Sequence, residues 1–418
     1  MTGPAGAPVV AVVDAYSTGR HLAAELARRG AACVHVRSQQ DIPAYFTRSF
    51  APDDFTEDLG HQPDRAKLTA VLRERGVRRV VAGTESGVLL ADELTDLLGL
   101  PGNDPVNAVA RRDKRAMADT VRRAGLAVPA GRAFDSAAGA AHWFAGTGFD
   151  EAVVKPVDSA GTDNVSFARS AAAVRSAAAA VLASDNVYGA RNRSVLVQRR
   201  VTGREYYVNT VSYRGTHRVA EIWGYVKAVG PSGAPVYDYE EPVPPGSAEW
   251  RLLRGFTAGV LDALGVRSSA GHTEIMLTGD GPVLIESGAR LGGATSPQTV
   301  REYCGVSQTG LFADSILTPR SLAGFDDAAV GWHGHLKNVA FRNHQHGTVR
   351  GTGWLDAVTA LPSVVHVAPG IAVGDRLTPT VDLFSSPGYA YLASADPAQV
   401  ARDHAALRRM EADGLYTR

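Results

Sequence analysis

Two short apolar segments, each containing one glutamate, constrain the fold of this 418-residue chain most strongly. They read His272-Thr-Glu-Ile-Met-Leu277 and Val283-Leu-Ile-Glu286, and a Thr-Gly-Asp-Gly-Pro link joins them. Apolar strands on either side of a glycine-rich link predict a β-hairpin, which sets Glu274 and Glu286 side by side. Two facing carboxylates repel each other unless a cation lies between them, and Mg²⁺ prefers such oxygen ligands. The pair therefore predicts a Mg²⁺ site that Mn²⁺ can also fill; the alternative is that strand alternation turns one glutamate to solvent.

Lys155 ends a predicted apolar strand at 152–155, where an ammonium is costly unless it meets an anion or solvent. The loop at 158–164 follows with small residues whose N–H groups can approach phosphate oxygens. Ser159 and Thr162 add hydroxyl donors, and Gly161 lies between them. Lysine and loop together predict an ATP-phosphate site, although the chain has no Walker motif here. The alternatives are a lysine that reaches water and an ordinary hairpin loop.

Arg290 closely follows the second glutamate and precedes the glycine pair Gly292 and Gly293. An arginine here can stabilise charge on a transferring phosphoryl group and on an acyl phosphate. The glycines allow the backbone to approach that group, so we predict all three residues to be catalytic. The next residue, Ala294, is small and leaves room for a bulky substrate side chain. The alternative is a surface arginine that caps a helix, with glycines in a turn.

The segment 198–206 predicts a strand, a turn and a second strand. The backbone from Arg199 to Val201 can bond an adenine edge, with Gln198 at the end of the strand, and Glu205 can meet the ribose or a metal. A hairpin with solvated charges is the alternative.

A loop at 83–87 joins a predicted strand to a predicted helix. It places Glu85 and Ser86 at a helix N-terminus that faces the cleft, which makes them candidates for substrate contact. A capped helix start is an equally good interpretation.

The order of predicted elements indicates an α/β chain with several units. Strands at 9–13, 32–36 and 77–82 alternate with helices at 21–29, 67–75 and 88–98, which predicts a doubly wound sheet. A helix at 106–124 leads into a unit with strands at 152–155 and 195–198 and a helix at 170–183. Antiparallel strands at 205–212, 218–227, 271–277 and 282–287 follow, with helices at 249–264 and 397–412. We place boundaries between units 1–105, 106–197, 198–330 and 331–418.

Charge and composition exclude several classes of partner. Lysine plus arginine and aspartate plus glutamate number 43 each, so no net field attracts nucleic acid or an anionic membrane. The two cysteines, Cys33 and Cys304, are far apart, which favours buried thiols and a reducing cytoplasm. The first residues lack the features of a signal peptide, and the apolar segment 9–13 is too short to span a membrane. We therefore expect a soluble cytoplasmic protein that acts on small molecules.

Taken together, these segments resemble the ATP-grasp superfamily over nearly the whole chain. The resemblance is closest to the L-amino-acid ligase branch, which includes the bacilysin-type dipeptide synthetases and the dapdiamide-type amide ligases. It implies a Rossmann-like pre-ATP-grasp domain, a lid subdomain, and a core with a mixed or antiparallel sheet. It also implies that Lys114 is the first phosphate-binding lysine and Lys155 the second. The implied activity joins a carboxylate to an amine through an acyl phosphate, with ATP and Mg²⁺, in a homodimer.

The resemblance also suggests where the substrates bind. His272 lies where the branch often has a histidine before the first glutamate. Trp223, Tyr225 and Lys227 alternate along a strand that would line the substrate side, and we predict them to determine selectivity. Gly288 departs from the broad superfamily, where an asparagine often provides a further metal ligand, and this leaves the number of metal ions open.

Two other functions remain open from the sequence. An ATP-grasp carboxylase or purine-type enzyme would use carboxyphosphate or a ribosylamine, and a non-catalytic protein would bind ATP without hydrolysing it. Four further histidines, His333, His335, His344 and His346, have neither cysteine nor carboxylate beside them. We therefore favour a structural role for these histidines over a metal site.

Overall fold

The N-terminal unit is a parallel four-stranded sheet with helices packed on it. The computed structural model describes residues 7–159, 161, 163–231, 235–331 and 333–417. The strands are β1 (Val9–Val13), β2 (Ala32–Arg37), β3 (Glu57–His61) and β4 (Val77–Ala82), in the order β3-β2-β1-β4. The helices are α1 (Arg20–Ala27), α2 (Ala44–Thr47), α3 (Arg65–Glu74) and α4 (Val88–Leu98). Strand β1 lies inside the sheet, where burial of Val10, Val12 and Val13 contributes about 1.5–3 kcal/mol each.

Two glycines, Gly19 and Gly83, allow the loops after β1 and β4 to lie in contact with each other. A Cβ on Gly19 would lie 2.3 Å from the carbonyl oxygen of Gly83, a distance that no side chain tolerates. The loops at the carboxyl ends of these parallel strands therefore meet at one edge of the sheet, which is where α/β proteins bind ligands. Glu85 follows directly in the second of these loops.

The second unit is a small antiparallel sheet covered by two helices. After α5 (Lys114–Arg123) come β5 (Gly131–Phe134), α6 (Ala137–Ala145), β6 (Ala152–Pro156), β7 (Ser166–Ala168), α7 (Ala171–Ala183) and β8 (Val195–Arg199). The strand order is β5-β8-β6-β7. Ser136 and Ser170 begin the two helices, because their side chains accept backbone N–H groups of the first turn.

An antiparallel sheet of eight strands spans the rest of the described chain. Its strands are β9 (Arg204–Tyr213), β10 (Thr216–Val229), β11 (Pro235–Pro242), β12 (Ala270–Thr278), β13 (Gly281–Gly288), β14 (His335–Ala340), β16 (Val364–Pro369) and β18 (Gly388–Ser394). They follow the order β13-β12-β9-β10-β11-β14-β18-β16, and β15 (Gly347–Thr348) pairs with β17 (Arg376–Leu377) separately. The helices are α8 (Ala248–Ala263), α9 (Pro297–Cys304), α10 (Gln308–Leu317), α11 (Pro319–Gly324), α12 (Gly353–Thr359) and α13 (Pro397–Ala412).

Most predicted elements are confirmed to within one or two residues, but the helix predicted at 106–124 is not continuous. Two 3₁₀ turns, Pro105–Asn107 and Val109–Arg111, come first, and α5 begins only at Lys114. Asp113 caps α5 through the N–H of Ala116. Arg111 turns away from the helix path into the interior, where it forms an ion pair of 2.7 Å with Asp92.

The unit boundaries predicted from the sequence remain predictions. Strands on both sides of residue 330 belong to the eight-stranded sheet, as expected if the last segment completes the core.

Cys33 and Cys304 are buried free thiols, as predicted. Within the part of the chain that the structure describes, no helix combines the length and hydrophobicity needed to cross a bilayer.

Candidate active site

A cavity of about 630 Å³ lies between the large sheet, the small sheet and the loops of the N-terminal unit. It collects most of the residues predicted from the sequence. Those that line it are Glu85, Lys114, Lys155, Ser159, Gly161, Gln198, Arg199, Val201, Glu205, Tyr225, Lys227, His272, Glu274, Glu286, Arg290, Gly292, Gly293 and Ala294. Thr162 lies outside the described residues.

The two glutamates of the hairpin face each other across neighbouring strands. Glu274 on β12 is the direct partner of Glu286 on β13. A lysine ammonium balances part of their charge, because Lys114 Nζ lies 2.7 Å from Glu286 Oε1. His272 Nε2 lies 3.6 Å from Glu274 Oε1. Burial opposes ionisation of Glu274, but His272, Lys227 and Arg290 outweigh it and hold the pKa of this carboxyl below its usual range.

Lys155 is a buried ammonium with no partner among the described residues. The residue is 8% exposed, and neither a hydrogen bond nor an ion pair to a described residue engages its Nζ. Burial, followed by repulsion from Lys114, lowers its pKa to about 8. Lys114, by contrast, donates to the carbonyl oxygen of Ser159 at 2.5 Å as well as to Glu286. An anion in the cavity could therefore bind the ammonium of Lys155 directly, whereas Lys114 would first have to release Glu286 or the carbonyl of Ser159.

Arg290 is held by the N-terminal unit. Its Nε donates to Glu85 Oε2 at 2.9 Å, and Arg112 lies 3.4 Å from the other oxygen of Glu85. Burial would raise the pKa of Glu85, but Arg290, Arg112 and Lys114 outweigh it and lower the pKa. Arg112 also pairs with Asp158 at 2.6 Å, which connects this cluster to the loop after β6.

Glu85 also accounts for the glycine at 288. A Cβ at that position would lie 2.5 Å from Glu85 Oε2. A larger residue such as asparagine would push aside the Glu85 carboxylate that orients Arg290. Within the described residues no group of three or more histidines, cysteines or carboxylates is arranged to hold a metal.

The glycine pair is only partly available to a ligand. The N–H of Gly292 donates to Gln308 Oε1 at 2.8 Å, and a Cβ on Gly292 would lie 2.8 Å from Asn209 Oδ1. Gly293 lines the cavity, and a Cβ there would make an ordinary contact of 3.9 Å with Ser17 Oγ. Ala294 follows with a φ of 50°, a left-handed conformation that is strained for a residue with a side chain.

The end of the cavity near β8 is partly apolar. Val153, Phe167, Met276 and Ile285 line it together with Gln198, Arg199 and Val201. Two of the N–H groups in this segment are engaged, because Arg199 donates to Ala130 at 2.7 Å and Arg200 donates to Glu151 at 3.0 Å. The N–H of Val201 has no acceptor among the described residues and is the group left for a planar base.

Two residues predicted to face the substrate do not line the cavity. Ser86 Oγ turns back to donate to Asp14 Oδ2 at 2.6 Å. Trp223 is 1% exposed in a buried cluster and stacks at 6.3 Å on Tyr207. Trp223 and Tyr225 both contact the ring of Tyr207 and so lie on the same face of the sheet, as predicted, but neighbouring side chains bury Trp223 and keep it from the cavity wall.

The sequence analysis missed Glu240, Tyr207, Asn338 and Arg112. A β-bulge explains the first of these, because the pairing of β10 with β11 skips Asp238. Lys227 pairs with Tyr237 and Tyr225 with Glu240, so Tyr237 and Glu240 lie on the same face although they are three residues apart. Simple alternation would have placed Glu240 on the other face. The nearby aromatic run Tyr237-Asp-Tyr239 was the available signal.

The four C-terminal histidines, His333, His335, His344 and His346, are exposed. Among the described residues, no carboxylate or cysteine lies with these histidines in an arrangement that could hold a metal ion.

Comparisons with known proteins agree with this geometry. No protein-family model matches the chain. The chain is 29% identical to dapdiamide A synthase of Enterobacter agglomerans, over 97% of this chain and 96% of that protein. The L-amino acid ligase of Bacillus licheniformis has a TM-score of 0.76 at 19% identity, covering 96% of this chain and 97% of that one. Carboxyaminoimidazole ribonucleotide synthase of Aspergillus clavatus, solved with ATP, has a TM-score of 0.72 at 13% identity, covering 97% and 99%. These similarities confirm the ATP-grasp resemblance and the predicted fold class.

Proposed function

We propose that this protein, which has the fold of the ATP-grasp ligases, is an ATP-dependent carboxylate–amine ligase. It forms an amide or peptide bond and uses an amino acid as a substrate. One observation carries this proposal: a single cavity contains a buried lysine that no described residue pairs with, two facing carboxylates and an oriented arginine. These are the charges that phosphoryl transfer requires. Similarity to dapdiamide A synthase over nearly the full length supports amide formation and a role in natural-product biosynthesis.

ATP fits the cavity with its base at the apolar end near β8. Val153, Phe167, Met276 and Ile285 would contact the base, and the N–H of Val201 would bond its edge. The phosphates would then reach Lys155, whose ammonium has no partner in the described part of the chain, and Lys114, which would release Glu286. The carbonyl oxygen of Ser159 already holds Lys114 near the loop that follows β6.

The donor set fits a divalent cation of the magnesium type. Glu274 and Glu286 offer carboxylate oxygens on paired strands, and phosphate or water oxygens supply the rest of the shell that Mg²⁺ or Mn²⁺ prefers. When bound, such an ion neutralises charge on the phosphates of ATP. When Lys114 moves from Glu286 to a phosphate, the carboxylate of Glu286 becomes available to the metal ion.

The chemistry then proceeds in two balanced steps. An oxygen of the substrate carboxylate attacks the γ-phosphorus, the bond from that phosphorus to the bridging oxygen breaks, and ADP leaves. Arg290 is positioned to bind the resulting acyl phosphate beside Gly293. The amine next attacks the acyl carbon, the bond to the phosphate oxygen breaks, and the amine loses a proton as phosphate leaves.

Exclusion of water is the second requirement, because an acyl phosphate hydrolyses readily. Tyr188 from the small-sheet unit stacks on Phe46 of the N-terminal unit at 5.5 Å. Arg112 lies 4.5 Å from the centre of the same tyrosine ring. We assign residues 126–197 as a lid that these contacts hold over the cavity.

The proposal is tested by phosphate release from Mg-ATP, coupled to mass spectrometry, across pooled amino acids and small carboxylic acids. Formation of ADP together with a conjugate mass that has lost one water supports the ligase and identifies both substrates. Glu286→Ala should abolish turnover, whereas Asp280→Ala in the exposed turn of the same hairpin should not. Turnover that requires bicarbonate would point instead to a carboxylase, and ATP binding without turnover would point to a nucleotide-binding protein.

We also propose the assembly and location implied by the resemblance. The units are 1–105, 106–197, 198–330 and 331–418, and limited proteolysis should cut near their boundaries. A homodimer should sediment at twice the 44.0 kDa chain mass. The two free buried thiols support a cytoplasmic location.

A further inference from the structure

A segment of the last unit reaches the cavity and contacts the proposed phosphate-binding loop. Residues 380–386 follow the short strand β17, and Leu383, Phe384 and Ser386 of this segment line the cavity. The ring of Phe384 lies directly against Gly161, because a Cβ on that glycine would lie 2.5 Å from Cε2 of the ring and 2.7 Å from Cζ. The C-terminal unit and the lid therefore meet at one aromatic ring in the cavity wall.

Gly161 is restricted in two ways. Its φ is 68°, a left-handed conformation that favours glycine, and the ring of Phe384 occupies the place that a side chain would take. Gly189 of the same unit provides a contrast, because its φ is 80° but nothing lies within 4 Å of the position of its Cβ. A side chain at position 161 would therefore push the ring away from the loop, whereas one at position 189 would meet open space.

The segment that contains Phe384 is held in place by its own hydrogen bonds. The N–H and the Oγ of Ser385 both donate to Asp382 Oδ1, at 2.7 and 2.6 Å. The N–H of Thr380 donates to the carbonyl oxygen of Asn343 at 2.8 Å, and the N–H of Asn343 donates to Thr380 Oγ1 at 2.9 Å. Asn343 is 1% exposed, so these bonds tie the segment to the interior of the C-terminal unit.

A second aromatic ring supports Phe384 from the N-terminal unit. Tyr45 on α2 lies with its ring centre 4.9 Å from that of Phe384, at an angle of 75° between the ring planes, which is an edge-to-face arrangement. The next residue, Phe46, stacks on Tyr188 of the lid. The lid thus contacts aromatic rings at two places, Tyr188 against Phe46 and Gly161 against Phe384.

The loop that contains Gly161 is bound to the ATP site at Ser159. Lys114 Nζ donates to the carbonyl oxygen of Ser159 at 2.5 Å, and Ser159 Oγ donates to Asp163 Oδ2 at 2.6 Å. Gly161 lies between Ser159 and Asp163, and no described residue accepts a hydrogen bond from its N–H. This N–H is therefore available to a phosphate oxygen as long as the loop stays beside the phosphates.

We infer that Phe384 is a positioning residue that holds the loop containing Gly161 against the phosphates of ATP. The inference rests on the proposed function, because it requires ATP in the cavity, and it adds a residue of the C-terminal unit to the ATP site. Without the ring, the loop loses its support and moves away from the phosphates. The base keeps its contacts, because it would bind at the apolar end of the cavity near β8.

The inference predicts a loss of affinity that depends on the phosphates of the ligand. Competition with a fluorescent ATP analogue, in the presence of Mg²⁺, measures the binding of ATP and of adenosine, which shares the base and the ribose but has no phosphate. Phe384→Ala should weaken ATP binding about tenfold, because the loop is no longer ordered around the phosphates. It should leave the affinity for adenosine unchanged, and Phe384→Tyr, which retains the ring, should restore ATP binding.

Two glycine variants test the same contact from the other side. Gly161→Ala should weaken ATP binding, because the new methyl group pushes the ring of Phe384 away. Gly189→Ala introduces a similar backbone strain without a neighbouring ring and should bind ATP like the wild type. The losses of Gly161→Ala and Phe384→Ala should not multiply in the double variant, because both substitutions remove one and the same contact.

The outcomes separate this inference from the ligase proposal. An equal loss of ATP and adenosine binding in Phe384→Ala, unchanged ATP binding in that variant, or losses that multiply in the double variant would each overturn the role of Phe384 alone. A wild type that binds ATP but forms no conjugate would overturn the ligase and leave the role of Phe384 to be decided by these affinities. A wild type that does not bind ATP would overturn both.

Discussion

At the scale of single residues, Lys155 shows function and stability in conflict. Its ammonium is buried without a partner among the described residues, and its pKa falls from 10.5 to about 8. Lys155→Met should therefore abolish ATP turnover, yet raise the free energy of unfolding of the nucleotide-free protein by about 1–3 kcal/mol near pH 7. Urea unfolding of both proteins without ATP measures this difference.

The pH dependence of the same lysine has a definite sign. Because the folded pKa lies below the unfolded one, folding releases a proton between about pH 8 and 10.5. The cost of burying Lys155 is thus complete below pH 8 and shrinks as the pH rises. The difference in free energy of unfolding between Lys155→Met and the wild type should therefore decrease in that range. A difference that stays constant to pH 10.5 would show that the charge of Lys155 is not its cause.

Asn209 lies at the centre of a buried chain of hydrogen bonds next to Glu274, one of the two proposed metal ligands. His272 Nδ1 lies 2.8 Å from Asn209 Oδ1, and Asn209 Nδ2 donates to Glu221 Oε1 at 2.9 Å. Asn209→Leu keeps the volume but leaves two buried polar groups unpaired, so we expect a loss of about 2–5 kcal/mol in unfolding free energy. We also expect a higher Mg²⁺ concentration for half-maximal turnover, because His272 no longer has a fixed orientation beside Glu274.

A neighbouring variant provides the control for this chain. Thr210→Val removes one hydrogen bond of 3.3 Å to Gly271 and touches neither His272 nor Glu221. It should lower stability slightly without changing the Mg²⁺ requirement. If both variants shift the Mg²⁺ requirement equally, the role assigned to Asn209 is wrong.

Individual residues also mark the limit of sequence reasoning. Glu274 and Glu286 were predictable because a hairpin register depends on a short local segment. Glu240 was not, because a bulge at Asp238 reverses the face of the strand. Ser86 was misassigned because its partner, Asp14, is distant in sequence and lies at the end of another strand.

At the scale of secondary-structure elements, the contact between the lid and the N-terminal unit should control how tightly ATP consumption is coupled to amide formation. Tyr188 stacks on Phe46, contacts Arg112, and accepts a hydrogen bond from Gln39 at its carbonyl oxygen at 3.0 Å. Tyr188→Ala should loosen closure, so that water reaches the acyl phosphate and ADP exceeds amide product severalfold. Tyr188→Phe retains the stacked ring, so it should still form one amide for each ADP.

The ratio of ADP to amide product measures this effect directly. A Tyr188→Ala enzyme that is slow but still forms one amide per ADP would contradict the assigned role of the contact.

Elements were predictable where local signals are strong. Helices α4 and α13 and strands β1 and β4 have the predicted bounds, because apolar periodicity and terminal signals agree there. The helix predicted at 106–124 failed because Asp113 starts a new helix and Arg111 pairs with Asp92, a residue of α4. A local pattern contains no information about such a distant partner.

At the scale of the whole molecule, one sheet joins the carboxylates to the rest of the cavity. Residues of β12 and β13 provide Glu274 and Glu286, whereas β11 and β14 provide Glu240 and Asn338. Glu240 and Asn338 are 98 residues apart in the sequence, and the sheet order brings their strands together. The sequence indicated the fold through its resemblance, but the order of strands and the bulge depend on long-range packing.

The C-terminal helix stabilises the same sheet through a partly buried charge cluster at Asp238. Asp238 Oδ1 lies 2.7 Å from Arg408 and 3.0 Å from His404, both on α13, and 3.6 Å from Arg342. Burial alone would raise the pKa of Asp238, but the hydrogen bond from His404 and the charges of both arginines hold it well below its usual range. Asp238 is the residue that the pairing of β10 with β11 skips, so the cluster lies at the bulge that precedes Glu240.

Asp238→Asn should therefore weaken the whole molecule in a pH-dependent manner. A carboxyl whose folded pKa is depressed adds stability above its unfolded pKa of about 4 and loses it as the pH falls toward the folded value. At pH 7 we expect a loss of about 2–4 kcal/mol, because a partly buried cluster loses the anion shared by Arg408 and Arg342 and Glu411 is left as the acidic partner of Arg408. Urea unfolding from pH 7 to pH 3 should show the difference from wild type shrinking below pH 4, while Asp280→Asn, in an exposed turn, stays at wild-type stability throughout. A deficit that is constant over this range would mean that packing, and not the charge of Asp238, joins the C-terminal helix to the sheet.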